Sequence, residues 1–389
     1  MSYLNLSSDY LEANGAIHTA REICQQPEIW EKTYLKLLNE KDQLLSFLQK
    51  VWNIDHPHII LSGAGTSAFI GESLTGSFQK KLGINCRAVS TTDIVSHPDN
   101  YFIKKRPTLL ISFARSGNSP ESLHTSVLAR QFCDELYELN ITCNAEGALA
   151  KQVNTNNLYT ILLPEETNDE SLAMTSSYSS MLLAGLFVAY IHETEKLKPI
   201  IEKVCQMGNL ILSKHVAALK DISAMDFDRM VFLGSGPLFG VAHESHLKVQ
   251  ELSNGKVICK FDSFLGFRHG PKAVVNEKTV IVYLFSTKSY PRLYELDLVR
   301  SVKETAAGEK SIAIGNGIDN KEFQFDMSIQ FPDEINELPE EFLSLFYILP
   351  AQIIGFYKSL NLGLSPDSPS KNGAISRVVQ GVEIYQFIK

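Results

Sequence analysis

Glu251 and His269 are the two side chains in this sequence best placed to move protons on a small substrate. A carboxylate base working with an imidazole acid or proton shuttle is a common division of labour in sugar chemistry. Both lie in the run ELSNGKVICKFDSFLGFRHGP, residues 251–271. Its first residues continue a predicted helix, and its end, His269-Gly270-Pro271, reads as a loop. A predicted turn separates the two groups, with enough chain for them to face each other across a substrate. The competing reading is a solvated helix glutamate and a structural loop histidine.

A second set of residues suits an anion. Gly65, Thr66 and Ser67 follow the apolar strand 58–61, and Arg115, Ser116, Gly117, Asn118 and Ser119 follow the strand 108–113. Each loop opens a predicted helix, with Ser119 as N-cap and Pro120 as first helical residue in the second case. Ligands of an open α/β sheet sit beyond the carboxyl ends of its strands, where backbone N–H groups and the helix dipole favour negative charge. The hydroxyls of Thr66, Ser67, Ser116 and Ser119 suit a phosphate monoester. Gly63, Gly65 and Ala68 also satisfy G-x-G-x-x-G/A with Asp93 downstream, a weak dinucleotide signal by itself. A third reading is loops that merely turn. His243 and His246 share a helix face, but no further ligand motif accompanies them, so a metal site is not expected.

These residues need a scaffold, and the chain supplies it twice. Strands 58–61, 108–113, 138–143 and 158–163 alternate with helices, which implies a parallel sheet covered on both faces. Gly63, Thr108 and Ile141 recur as Gly234, Thr279 and Ile312, each displaced by 171 residues (234−63, 279−108, 312−141). We read a tandem duplication of one doubly wound α/β domain. The expected divisions are an N-terminal helical segment (1–50), a first domain with the phosphate loops (51–200), a second with Glu251 and His269 (215–364), and a polar tail (365–389) that is either disordered or a cover for the site. The second-half loop Phe285-Ser286-Thr287-Lys288-Ser289-Tyr290 lacks the glycine of its first-half counterpart, and Pro237 stands in the other.

Composition narrows the function classes. A net charge of −8 with no basic stripe argues against nucleic acid and leaves a small anionic ligand open. The six cysteines form no CxxC pair and read as reduced core residues of a cytoplasmic protein. The sequence opens without a basic, then apolar, leader, and no uninterrupted apolar run is long enough to span a membrane.

The motifs GAGTS, ARSGNSPES and ITCN resemble the first sugar isomerase (SIS) domain of sugar-phosphate isomerases. FLGSGPLFGVAHESHLKVQELS followed by GFRHGP resembles the second SIS domain of glucosamine-6-phosphate synthase. The resemblance covers about residues 50–385. A double-SIS chain without an amidotransferase domain looks like the AgaS-type group of galactosamine-6-phosphate deaminase/isomerases, formerly called tagatose-6-phosphate ketose/aldose isomerases. It implies two tandem SIS domains, each a three-layer αβα sandwich. It makes Glu251 the base that moves a proton between C1 and C2, and His269 the group that assists ring opening. Lys248, one turn earlier, is then placed to hold that base ionised or to touch the sugar. It assigns phosphate binding to Gly65, Thr66, Ser67, Arg115, Ser116 and Ser119, and adds Ser176, Arg268 and Lys371 as candidate pocket residues. Ser176 is otherwise an N-terminal cap. The tail lysine that forms an imine in the synthase is absent, with Asn372-Gly373-Ala374-Ile375 at that place. Expected are a cytoplasmic homodimer or higher homo-oligomer and a sugar phosphate as ligand, with no organic cofactor and no membrane or nucleic-acid partner. The alternatives are a plain aldose–ketose isomerase and a non-catalytic SIS sensor of sugar phosphates.

Overall fold

The computed structural model describes residues 2–305, 309–318, 323–370, 373–379 and 381–387. Its architecture is the expected α/β one, with two five-stranded parallel sheets. The first contains β1 (His58–Gly63), β2 (Cys86–Ser90), β3 (Thr108–Ala114), β4 (Leu136–Thr142) and β5 (Leu158–Leu162), in the spatial order β2-β1-β3-β4-β5. The second contains β6 (Arg229–Leu233), β7 (Ile258–Asp262), β8 (Thr279–Leu284), β9 (Lys310–Gly315) and β10 (Met327–Gln330), in the order β10-β9-β8-β6-β7. β1, β3 and β8 are buried at every residue, as apolar runs in the middle of a doubly covered sheet must be. Besides a short antiparallel pair, Ser2–Tyr3 with Leu6–Ser7, in the segment expected to be helical, the unforeseen strands β2, β7 and β10 are all edges of their sheets. Their sequences, CRAVS, ICKFD and MSIQ, mix polar and apolar residues because an edge is half exposed.

Strand pairing carries the internal repeat. His58 faces Thr108 and Arg229 faces Thr279, both displaced by 171 (229−58, 279−108). At the next strand the displacement becomes 173. Leu110 faces Glu138 and Ile281 faces Ser311, and 311−138 is 173. Ile312 therefore corresponds to Leu139, and its expected match with Ile141 is off by two residues. A two-residue slip keeps every side chain on its original face, so the hydrophobic pattern hides it.

The order of the second sheet decides where its functional groups lie. The connection β6 to β7 steps one way across the sheet and β7 to β8 steps the other. Parallel crossovers are right-handed, so the two connections cover opposite faces. Packing agrees. Phe264 and Phe267, after β7, join Val231, Leu233, Ile281 and Tyr283 with Leu298 and Val299 of helix Ser289–Thr305. Helix Pro237–Leu252, between β6 and β7, packs against helix Leu349–Asn361 instead. Gly355 permits that approach, since a Cβ there would lie 3.2 Å from the Lys248 carbonyl oxygen and 2.9 Å from a Leu252 methyl.

By its contacts the chain forms two compact units. One comprises Met1–Pro27, Glu170–Thr175 and Pro199–Asn372 and holds the second sheet. The other comprises Glu28–Asp169, Ser176–Lys198 and Gly373–Lys389 and holds the first. The N-terminal helices thus divide at residue 27 and the tail at residue 372. Residues before that division are tied down: the Asp367 carboxylate accepts the Thr19 N–H and hydroxyl, each at 2.7 Å, and the His18 N–H at 3.2 Å, capping helix Ile17–Cys24. Glu340–Asn361 has the length and hydropathy of a membrane span, but 94% of that window is buried inside the protein, as a core helix is.

Candidate active site

The helix Pro237–Leu252 carries a charged ladder. Lys248 Nζ lies 2.7 Å from the Glu251 carboxylate and 3.3 Å from that of Glu244, at i+3 and i−4 on one helix face. The side chains of Lys248 and Glu244 are buried, and that of Glu251 is 22% exposed. Burial alone would push the Lys248 ammonium toward neutrality. Glu244 and Glu251 together outweigh it and hold the lysine above its ordinary value. Glu251 is consequently a carboxylate that reaches solvent from a fixed position, with one oxygen bound by a cation. Glu244 was missed in the sequence, although its i,i+4 spacing to Lys248 was visible there.

His269 is not brought to Glu251. What separates them is the strand β7, where only a turn was expected. Glu251 ends the helix on one face of the sheet, and His269 lies on the connection covering the other. His269 is exposed. Its neighbour Arg268 turns to helix Ser289–Thr305, with its guanidinium 2.9 Å from the Asp297 carbonyl oxygen and 3.0 Å from its carboxylate. The expectation that one chain faces Glu251 and His269 across a substrate therefore fails, for a topological reason.

The two hydroxyl-rich loops of the other unit flank the point where the strand order reverses, between β1 and β3. That is the ligand crevice of a 2-1-3-4-5 sheet. Gly63 and Gly65 serve different ends. A Cβ on Gly63 would lie 2.5 Å from the backbone of Ser67, and Gly65 adopts φ +54 to start helix Thr66–Leu82. Thr66 and Ser67 are buried in its first turn. In the second loop Gly117 takes φ +66, and the 144–149 segment braces the turn. Asn144 donates to the Ser116 carbonyl at 3.0 Å, and the Ala148 N–H donates to the Asn118 side chain at 2.9 Å. Ser119 is the N-cap of helix Pro120–Phe132, yet its hydroxyl makes no capping bond. Arg115 is 5% exposed, and its guanidinium donates to the Arg377 carbonyl at 2.7 Å.

Ser176 has a cap's contacts. Its hydroxyl donates to the Asp169 carboxylate, which also accepts the Ser177 N–H at 2.9 Å and hydroxyl at 2.5 Å. Lys371 lies outside the described residues. His243 stacks on Phe261 with ring centroids 3.6 Å apart, and His246 bonds the His243 carbonyl, so both rings are engaged in packing. Burial depresses His246 to about 4, which leaves it neutral.

Comparison with known proteins matches the SIS domain to residues 54–191, the first sheet and its loops. D-galactosamine-6-phosphate deaminase AgaS of Shewanella sp. (strain ANA-3) is 40% identical over 393 residues, covering 100% of this chain and 97% of the relative. Tagatose-6-phosphate ketose/aldose isomerase of Escherichia coli superimposes with a TM-score of 0.84 at 36% identity, over 95% of this chain and 96% of that one. A Clostridium novyi NT structure, provisionally assigned the same isomerase activity, superimposes with a TM-score of 0.95 at 41% identity over the full length of both chains.

Proposed function

Since the chain belongs to the AgaS family of D-galactosamine-6-phosphate deaminases, we propose that it converts galactosamine 6-phosphate into tagatose 6-phosphate and ammonia. The observation that carries this reading is Glu251, a solvent-reaching carboxylate held by a fully buried lysine. A positioned carboxylate suffices to move a proton next to a carbonyl carbon.

In this account His269 protonates the ring oxygen and opens the hexosamine. Glu251 takes the C2 proton, leaving an enolamine, and returns it at C1. The C2 imine is then hydrolysed to the ketose and ammonia. The hydroxyls of Thr66, Ser67, Ser116 and Ser119 and the guanidinium of Arg115 receive the phosphate. A reaction that uses both Glu251 and His269 takes them from two copies of the chain, since one sheet holds them on opposite faces, and the working form is a homodimer or a higher homo-oligomer. Six unpaired cysteines, three of them buried, fit a reducing compartment, the cytoplasm.

A second reading is aldose–ketose isomerisation without nitrogen chemistry, favoured by the activity named for the Escherichia coli structure. The same Glu251 serves it. The test is product analysis on purified protein. Equal amounts of ammonia and tagatose 6-phosphate from galactosamine 6-phosphate support deamination. Interconversion of tagatose 6-phosphate with an aldose phosphate, with no ammonia from the amino sugar, replaces it with the isomerase.

A further inference from the structure

The C-terminal segment after residue 372 belongs to the unit with the phosphate loops, and it is fastened there at two places. Near its start, the Arg377 guanidinium donates to the Asp169 carbonyl and to the Asn168 side chain, both at 2.8 Å. Farther on, the Phe387 ring meets Phe132 edge-on at 5.1 Å, in the apolar cluster under helix Pro120–Phe132. At the first of these anchors the backbone carbonyl of Arg377 also accepts from Arg115. The residues that grip Arg377 are themselves fixed, because the Asp169 carboxylate caps the helix that begins at Ser176.

We propose that Arg377 is a positioning residue for phosphate binding: its guanidinium locks the segment against residues 168–169, so that its own carbonyl orients Arg115 in the loop before Ser116. The inference rests on the phosphate-loop reading given above. Each acceptor that fixes a buried arginine before the ligand arrives lowers the entropy lost on binding. The bond from the Arg115 guanidinium to the Arg377 carbonyl helps to fix the plane of that fork. The charges agree with an anionic ligand. Arg115 and Arg377 are two cations, whereas Asp169 spends its carboxylate on the helix cap. Nothing in the sequence pointed to Arg377, which stands 262 residues from Arg115.

Arg377→Ala keeps the carbonyl and removes only the lock, so it tests positioning directly. With inorganic phosphate as probe in calorimetry, we expect Arg377→Ala to weaken binding about tenfold and Arg377→Lys to lie between it and wild type. In turnover the loss should fall on KM rather than kcat. In an Arg115→Ala background the same change should have no further effect on phosphate affinity, since the residue acts through Arg115. Asn168→Ala, which removes one acceptor of the lock, should shift affinity the same way by less, and it serves if Arg377→Ala fails to fold. Unchanged phosphate affinity in folded Arg377→Ala overturns the proposal, as does an equal loss with and without Arg115. A wild-type protein that ignores inorganic phosphate overturns the phosphate-loop reading itself, and this inference with it.

Discussion

Lys248 binds Glu251 at 2.7 Å while its other neighbour, Glu244, is wholly buried. The pair Lys248–Glu251 thus has a structural half and a chemical half: the lysine neutralises a charge inside the protein and presents a second one at its surface.

Lys248→Met should therefore destabilise the fold, because it strands the Glu244 carboxylate in the interior. Breaking a buried pair by removing one partner costs about 3–5 kcal/mol, measurable by urea denaturation. Glu244→Gln combined with Lys248→Met should recover a large part of that loss. The pH dependence has a definite sign. Lys248 is held above the ordinary lysine value in the folded chain. Its contribution is complete below the unfolded value and is lost as pH rises through the raised folded one. The stability gap between wild type and Lys248→Met should persist through neutral pH and close only under strongly alkaline conditions.

Opposite faces for Glu251 and His269 predict complementation between chains. Glu251→Gln and His269→Asn should each be inactive alone. Coexpressed, half the dimers are mixed and each mixed dimer has one intact pair, so about a quarter of wild-type activity should return. No recovery, from mixed dimers isolated with two different tags, would mean that both groups act within one chain.

Glu295 predicts a slope in stability at milder pH. Burial pushes its carboxyl up to about 8, against the opposing pull of Arg292 at 3.5 Å and of the Ser286 N–H, which it accepts at 3.0 Å. The folded state therefore binds this proton more tightly than the unfolded chain does. Stability from this group is full below the unfolded value, near 4.5, and declines as pH rises through about 8. Glu295→Gln should flatten the stability curve across that window in thermal melts, and an unchanged slope would contradict the assignment.

Asp367 predicts that the tail is two pieces in function as well as in contacts. Asp367→Ala removes the cap of helix Ile17–Cys24 and should cost about 1 kcal/mol or somewhat more. Truncation at Ser365 removes the same cap, so a loss of activity in that truncation would mix destabilisation with any role of the later residues. Chemical denaturation of Asp367→Ala beside the truncation separates the two.

Much of this fold was legible before the structure. Apolar runs such as His58–Leu61 and Thr279–Val282 declare central strands, because burial on both faces leaves little room for polar residues. The loops Gly65–Ser67 and Arg115–Ser119 were legible for a related reason: they sit where a strand must turn into a helix. Edge strands such as Ile258–Asp262 were not, since a half-exposed strand of five mixed residues looks like a turn. That one omission placed His269 beside Glu251 when a whole strand divides them. Contacts between residues far apart in the chain, Arg377 with Arg115 and Asp367 with Thr19, left no local pattern to read.

The most direct test of the central claim is ammonia release from galactosamine 6-phosphate and glucosamine 6-phosphate, assayed side by side with wild type and Glu251→Gln. The account predicts ammonia from the galacto sugar with wild type, little or none from the gluco sugar, and a fall of about a hundredfold or more in Glu251→Gln with phosphate binding retained. No ammonia from the galacto sugar, or equal rates in wild type and Glu251→Gln, would contradict it.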